Sequence, residues 1–199
     1  MEISLTDFVE FTLKTGSARL TKVKQIKERP QYHPSYDYWK ILRDKIIDYH
    51  QTNEAKISFL EDCLNTLTNK SKVDNYKNAI DNYLNFIKKK NITWFEPPYS
   101  LWKNSELTIR INPELGLVID DSNYVIKLYF GSEKISKSKI NMILTLMNSQ
   151  FDNLNDNFSF SVLDVKNKKL HINSKSETDK TKPLIIGEAF AFEHIWNNI

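Results

Sequence analysis

The sequence predicts an α+β fold in which a helical amino-terminal half, residues 1–91, packs on a carboxy-terminal half, residues 92–199, that contains a small mixed sheet. Three observations support this prediction. Apolar residues recur with helical spacing through the first 90 residues. A passage rich in aromatic residues and proline, 94–102, then interrupts that spacing. After it, apolar and polar residues alternate in short runs with the period of a β-strand.

The amino-terminal half contains five segments with helical spacing. Ser4 and Asp7 resemble a capping arrangement for the first helix, which Gly16 ends. A short basic helix follows from Ser17 to about Glu28. The three remaining predicted helices each have a buried stripe, formed by Trp39, Leu42, Ile46 and Tyr49 after a cap at Ser35, by Ile57, Leu60, Leu64 and Leu67, and by Val73, Tyr76, Ile80, Tyr83 and Ile87.

The carboxy-terminal half combines strands with two helices. The first helix begins at about Ser136, and the second spans 188–198 after a polar stretch, 173–182, that we expect to be a loop. Residues 120–123 have the composition of a turn between the second and third strands. The predicted strands cover residues 107–111, 115–119, 124–130, 158–165 and 170–172.

The composition excludes several classes of protein. Hydrophobic residues at 40% and charged residues at 27% are typical of a folded globular chain. No run approaches the roughly 20 apolar residues that a membrane span needs, and no secretory signal is visible, so we expect a cytoplasmic protein. The single cysteine, Cys63, allows neither an internal disulfide nor a multi-cysteine zinc site. The four glycines form no nucleotide-binding fingerprint, so no cofactor is expected.

Positive charge is concentrated in residues 14–29, where six basic residues face the single acid Glu28 in a chain of net charge +3. Cations beside aromatic rings are typical of surfaces that bind nucleic acid. Lys134, Lys137 and Lys139 would extend this positive surface. The alternatives are a solvated helix face or a site for an acidic partner protein. The candidate nucleic-acid contacts are Arg19, Lys22, Lys24, Lys27, Arg29 and Tyr32.

Two charged residues in the predicted hairpin form a candidate site. Lys127 lies in the middle of the apolar run 124–130, where a charge is costly unless it is paired or solvated. If residues 120–123 close the hairpin, Gly116 faces Lys127, and Glu114 lies diagonally from Lys127 on the same sheet face. A carboxylate and a lysine so placed suit either a cross-strand ion pair or metal-assisted phosphodiester chemistry.

The order helix, strand, strand, strand, helix, strand over about residues 92–172 resembles the core of the PD-(D/E)XK nuclease superfamily. The resemblance implies an acid on the second strand and Glu-x-Lys on the third, where carboxylates hold Mg²⁺ or Mn²⁺ and the lysine positions or activates water. Glu114 and Lys127 match the acid and the lysine, and Asp120 is a second candidate metal ligand. Val125 stands where the Glu of Glu-x-Lys is expected, so the ligand set is incomplete.

Segments 112–117, 126–130 and 163–165 also resemble a group of uncharacterised bacterial proteins, which implies no activity. The leading hypothesis is a nucleic-acid-associated module that binds DNA or RNA and has a degenerate, noncatalytic nuclease-like core. One alternative is a metal-dependent nuclease that uses Glu114 and Lys127 with Mg²⁺ or Mn²⁺. Another is a protein-interaction subunit without nucleic-acid contact. The sequence leaves enzymatic activity and oligomeric state open.

Overall fold

The computed structural model describes residues 1–30, 37–52, 57–151, 157–172 and 174–199. Helices and strands are both abundant in this part of the chain, which confirms the predicted α+β class. Its helices are α1 (Leu5–Thr12), α2 (Ser17–Lys27), α3 (Lys40–Gln51), α4 (Ile57–Glu61), α5 (Lys70–Ile87), α6 (Lys137–Gln150) and α7 (Lys175–Asn197). Its strands are β1 (Glu2–Ser4), β2 (Ile92–Phe95), β3 (Ser100–Asn104), β4 (Leu107–Ile111), β5 (Leu115–Ile119), β6 (Ser122–Tyr129), β7 (Ser159–Asp164) and β8 (Lys169–Ile172).

Several predicted helix starts are confirmed by side-chain caps. The Ser4 hydroxyl accepts a hydrogen bond from the Asp7 amide at 3.0 Å, and the Ser136 hydroxyl accepts one from the Lys139 amide at 3.2 Å. Such caps satisfy amides in the first turn that have no partner within the helix. The predicted cap Ser35 and the predicted contact Tyr32 lie outside the described residues.

The strands form two sheets where one small sheet was predicted. A three-stranded sheet has the order β1-β4-β3, and a five-stranded sheet has the order β2-β5-β6-β7-β8. The passage 94–102 contributes to both, because Pro97 and Pro98 interrupt it between β2 and β3. As a result β2, rather than β4, lies beside β5. Strand β7 follows α6 and runs parallel to β6.

The predicted register of the β5–β6 hairpin is wrong by two residues. Gly116 pairs with Val125 instead of Lys127. The reason is a two-residue turn at Asp120 and Asp121, whose φ angles of 47° and 64° suit a tight hairpin. Continuing this register by one residue sets Glu114 directly opposite Lys127, where the prediction had them diagonal.

Helix α7 begins 13 residues before the predicted start at residue 188, so the loop predicted at 173–182 is largely helical. Its first turn is stabilised by a capping box in which Ser174 and Glu177 bond to each other's backbone amides. The first turns are polar and have no apolar period, which is why the spacing of apolar residues missed them.

Two hydrophobic clusters lie on opposite faces of the five-stranded sheet. Neighbouring residues of β6 alternate between them, with Val125 in one cluster and Ile126 in the other. The first cluster includes residues of α1, α2, α6 and α7, and the second includes residues of α3, α4 and α5. Each cluster therefore joins helices from residues 1–91 to strands from residues 92–199. No described helix is long and apolar enough to cross a membrane.

Candidate functional site

Glu114 and Lys127 form a buried ion pair across the β5–β6 hairpin. The Lys127 Nζ lies 2.6 Å from Glu114 Oε1, and the two side chains are only 11% and 8% exposed. Lys127 also donates to the Asn112 carbonyl oxygen at 3.1 Å, and the Leu128 amide donates to Glu114 Oε2 at 2.8 Å. Both charged groups are thus engaged with the sheet itself, as expected for an ion pair that must be compensated when it leaves water.

The candidate metal ligands Glu114 and Asp120 are not brought together. Asp120 lies in the turn at the far end of β5, about 20 Å away at the usual rise of a strand. Its Oδ1 accepts a hydrogen bond from the Asn91 amide at 3.0 Å. Val125 is fully buried and cannot replace the missing ligand. Among the described residues, no group of three or more histidines, cysteines or acids is placed to hold a metal ion.

The basic helix α2 and Arg29, two residues after it, are bound to neighbouring segments by their charges. Arg29 donates two hydrogen bonds to the Asp7 carboxylate, at 2.9 and 2.8 Å, and Lys22 Nζ lies 3.1 Å from Asp7 and 2.7 Å from Glu10. Burial alone would raise the pKa of Asp7, but hydrogen bonds from Arg29 and Ser4 and the charge of Lys22 outweigh it and lower that pKa to about 2. Asp7 is therefore the centre of a network that holds α2 against α1.

Two further cations of α2, Arg19 and Lys27, bind it to α7. Arg19 pairs with Glu188 at 2.7 Å, and its guanidinium lies 5.0 Å from the centre of the Phe11 ring. Lys27 Nζ donates to the carbonyl oxygens of Trp196 and Ile199 near the carboxy-terminal end of α7. These contacts matter because α2 contributes only one buried apolar residue to the core.

Of the five predicted nucleic-acid contacts that the structure describes, Lys24 alone makes no contact with a distant segment of the chain. Within the described part of the chain it pairs only with Glu28, at 3.8 Å, and both side chains are 65% exposed. The other four predicted contacts, Arg19, Lys22, Lys27 and Arg29, are directed at carboxylates or carbonyl oxygens of the chain. Most of the positive charge in residues 14–29 is therefore engaged within the chain, although Lys14, Lys24, Lys27 and Arg29 remain exposed.

A second basic region forms a concave surface at the carboxyl ends of the parallel strands β6 and β7. Its cavity of about 320 Å³ lies between the loop before α6, strand β8 and the first turn of α7. We call this cavity, with its basic residues Lys134, Lys137, Lys169 and His171, the lysine groove. Lys134 and Lys169 are exposed, and neither has a carboxylate within 4 Å among the described residues. Lys137 pairs with Glu177 at 3.1 Å but remains 80% exposed.

A buried carboxylate joins the loop that contains Lys134 to the turn that precedes Lys169. Asp164, at the end of β7, accepts hydrogen bonds from the amide and the side-chain nitrogen of Asn167, at 3.2 and 2.8 Å. It also accepts a long hydrogen bond of 3.4 Å from the Ile135 amide. Lys166 adds a second link because its Nζ donates to the Ser132 carbonyl oxygen. The groove is thus supported by fixed contacts at the sheet edge.

His171 supplies a polar atom whose hydrogen-bonding capacity is unused in the groove. Its Nε2 is buried and has no hydrogen-bond partner in the part of the chain that the structure describes. Burial and the nearby positive charges of Lys169 and Lys134 lower the pKa of the ring, which keeps it neutral at pH 7. Buried polar atoms usually have a partner, so this nitrogen is a candidate contact for a bound group.

The sequence names only part of the groove. Lys134 and Lys137 were predicted to extend a positive surface, whereas Lys169 and His171 were not singled out. The missing signal is the parallel pairing of β6 and β7, which brings together loops about 35 residues apart. Comparisons of the chain with protein-family models, with curated proteins and with solved structures gave no match. Function is therefore inferred from the chain's own side chains.

Proposed function

We propose that the chain is a nucleic-acid-binding module that contacts backbone phosphates through the lysine groove and has a nuclease-like but noncatalytic core. One observation carries the proposal. The cations of the groove are exposed, and Lys134 and Lys169 have no carboxylate partner among the described residues, whereas most cations of α2 are paired within the chain.

The chemistry of the groove favours phosphate contacts over the reading of bases. Lysine ammonium groups act as point charges that neutralise phosphates and release counterions. Among the described residues that line the groove none is Phe, Tyr or Trp, so the groove lacks the large rings on which bases usually stack. Contacts of this kind fix the position of a nucleic acid without specifying its sequence. The module is expected to bind with little sequence preference.

A noncatalytic core is supported by the hydrogen bonds and the burial of Glu114 and Lys127. Each is hydrogen-bonded within the hairpin and less than 12% exposed at its side chain, which leaves little access for a metal ion or a water nucleophile. The nuclease-like order is supported by α5, β2, β5, β6, α6 and β7 taken in chain order, with β7 parallel to β6, although β3 and β4 lie between β2 and β5 in the chain and belong to the other sheet.

Charge reversal in the groove tests the proposal. We expect the double variant Lys134→Glu/Lys169→Glu to bind a fluorescently labelled DNA duplex about tenfold or more weakly than the unmodified chain in anisotropy titrations at fixed salt. The control Lys24→Glu/Lys103→Glu has the same net charge and alters two exposed lysines outside the groove. It is expected to retain most of the affinity. Equal losses in both variants, or no binding by the unmodified chain, would contradict the proposal.

A further inference from the structure

The first turn of α6 has a charge that is unfavourable at the start of a helix. It contains Lys137 and Lys139 and no acidic residue, and the exposed Lys134 precedes it by three positions. The amino-terminal end of a helix has a partial positive charge, which acidic side chains stabilise and cations destabilise. Helix α7 follows this preference, since Glu177 lies in its first turn. Local preferences are often broken at functional sites, and a bound anion would balance the excess charge of α6.

The same end of α6 has backbone donors without acceptors. The amide of Lys139 donates to the Ser136 hydroxyl at 3.2 Å, and the amide of Ile140 donates to the Ser136 carbonyl oxygen at 3.0 Å. The amides of Lys137 and Ser138 have no acceptor in the part of the chain that the structure describes. Because Lys137 and Ile140 line the lysine groove, this end of α6 forms one of its walls. Free amides at a helix start are donors for anionic oxygens.

The size of the groove fits a single phosphate group with its neighbouring sugar. Its cavity of about 320 Å³ is near the lower limit of the ~300–1,000 Å³ that is typical of small-ligand sites. Ile135 and Ile140 line the cavity and are only 3% and 8% exposed, so part of its wall is apolar and suits sugar carbons. A phosphate inside a strand is flanked by nucleotides on both sides, whereas a terminal phosphate can enter a cavity of this size.

The charges of the groove match a phosphate monoester. Of the described residues that line it, only Glu177 is acidic, and this carboxylate pairs with Lys137 at 3.1 Å. The three positive charges of Lys134, Lys137 and Lys169 and the negative charge of Glu177 leave a net charge of +2. His171 adds none at pH 7, because burial and neighbouring lysines lower the pKa of its ring. A phosphate monoester has a charge of about −1.5 to −2 at pH 7, whereas a diester within a strand has about −1.

We propose that the lysine groove binds the terminal phosphate monoester of a nucleic-acid strand, with the ammonium groups of Lys134, Lys137 and Lys169 and the free amides at the start of α6 as donors. The inference rests on the proposed function and adds to it a preference for phosphorylated strand ends. Contacts with backbone phosphates alone predict no such preference beyond the effect of the added charge, so the two proposals can be tested separately.

DNA hairpins with a fluorophore in the loop test the preference, because both strand ends then lie at one end of a short duplex. Three hairpins of one sequence have a 5′-phosphate, a 3′-phosphate or no terminal phosphate. A fourth, unphosphorylated hairpin is one base pair longer and supplies the added charge as diesters. In anisotropy titrations at fixed salt, at least one phosphorylated hairpin is expected to bind on the order of tenfold more tightly than both unphosphorylated hairpins. Equal affinities for all four would overturn the inference.

A groove variant tests whether the lysine groove is responsible for the preference. Lys134→Gln/Lys137→Gln changes two exposed side chains, so the fold should persist, which circular dichroism checks. The variant is expected to reduce the preference to less than about twofold. The matched control Lys24→Gln/Lys103→Gln, at exposed lysines outside the groove, should retain it. A preference that is unchanged in the groove variant would place the terminal phosphate elsewhere and contradict the proposal.

Two further outcomes separate the inference from the proposed function and from free phosphate. If Lys134→Glu/Lys169→Glu weakens the binding of every hairpin and phosphorylation has no effect, nucleic-acid binding stands and the inference alone fails. No binding of any hairpin contradicts both. Inorganic phosphate, titrated as a competitor at constant ionic strength, is expected to displace the phosphorylated hairpin only weakly, because it lacks the sugar and the backbone contacts. Displacement at concentrations close to the Kd of the hairpin would contradict the assignment of a strand end.

Discussion

Helix α2 and the lysine groove are both rich in cations, but their surroundings differ. The cations of α2 face Asp7, Glu10 and Glu188, and they attach a helix that has a single buried apolar residue. In the groove, Lys134 and Lys169 lie close in sequence to Ile135 and Asn167, whose amides donate to Asp164, and neither lysine has an acidic partner among the described residues. The contrast teaches that cations that are adjacent in sequence can be paired within the fold, whereas lysines that are distant in sequence can come together and remain exposed.

The largest loss of stability is expected at the Glu114–Lys127 pair. Lys127 lies outside both cation-rich regions, and its side chain is less exposed than those of the cations of α2. Glu114→Ala leaves Lys127 buried without its partner, and removing one member of a buried pair costs about 3–5 kcal/mol of unfolding free energy. Urea denaturation measures this loss. The double variant Glu114→Leu/Lys127→Met should recover much of it, because no unpaired charge remains. A stable Glu114→Ala protein that loses magnesium-dependent DNA cleavage would instead favour the nuclease alternative.

A smaller but substantial loss is expected at the centre of the α2 network. Asp7→Asn removes the charge that Arg29 and Lys22 share, and we expect a decrease of about 2–3 kcal/mol in unfolding free energy because Arg29 remains 46% exposed and Lys22 keeps Glu10 as a second partner. Affinity for DNA should not fall, since these cations are structural. A variant of unchanged stability whose DNA affinity changes several-fold would show that the pairs of α2 open to bind phosphates.

The pH dependence of stability also tests whether the charge of Asp7 stabilises the fold. The pKa of Asp7 is lowered to about 2 in the folded chain, so the unfolded chain takes up the proton first as the pH falls. The stabilisation by Asp7 is complete above about pH 4 and is lost between about pH 4 and pH 2. The difference in stability between the unmodified chain and Asp7→Asn should shrink over that window. Burial also lowers the pKa of His50, to about 4. As the pH falls from about 6.5 to 4, the unfolded chain therefore binds a proton at His50 before the folded chain does, and the free energy of unfolding decreases.

The smallest effect is expected at Lys24, the exposed cation of α2. Lys24→Ala removes an ion pair in which both side chains are 65% exposed, and such pairs contribute less than about 0.5 kcal/mol. Thermal unfolding should detect almost no change. A loss of stability as large as that of Asp7→Asn would mean that Lys24 has a structural contact comparable to those of its neighbours on α2.

The sequence predicted local features better than relations between distant segments. The capping arrangement of Ser4 and Asp7 was identified, and a helix start was predicted at about Ser136, where the structure places a cap. The hairpin register failed because the conformation of Asp120 and Asp121 decides it, and apolar alternation is unchanged by a shift of two residues. The early start of α7 was missed although Ser174 and the acid three residues later are a capping signal.

The candidate sites show the same difference between local contacts, which the sequence predicted, and contacts between distant segments, which it did not. Alternation placed Glu114 and Lys127 on one face of the sheet, and the structure joins them, although in a closer register than predicted. The partners of α2 could not be found from spacing, because Arg19 and Glu188 are separated by 169 residues. The groove likewise depends on the pairing of β6 with β7, which brings Lys134 towards Lys169.

The salt dependence of DNA binding tests most directly whether the groove, rather than α2, meets phosphates. Affinity for a DNA duplex is measured over a series of salt concentrations for the unmodified chain, Lys134→Ala/Lys169→Ala and Lys24→Ala. Each phosphate contact contributes about 0.9 to the slope of log affinity against log salt. We predict that the groove variant reduces the magnitude of the slope by about 2 and that Lys24→Ala leaves it nearly unchanged. An unchanged slope in the groove variant would contradict the account.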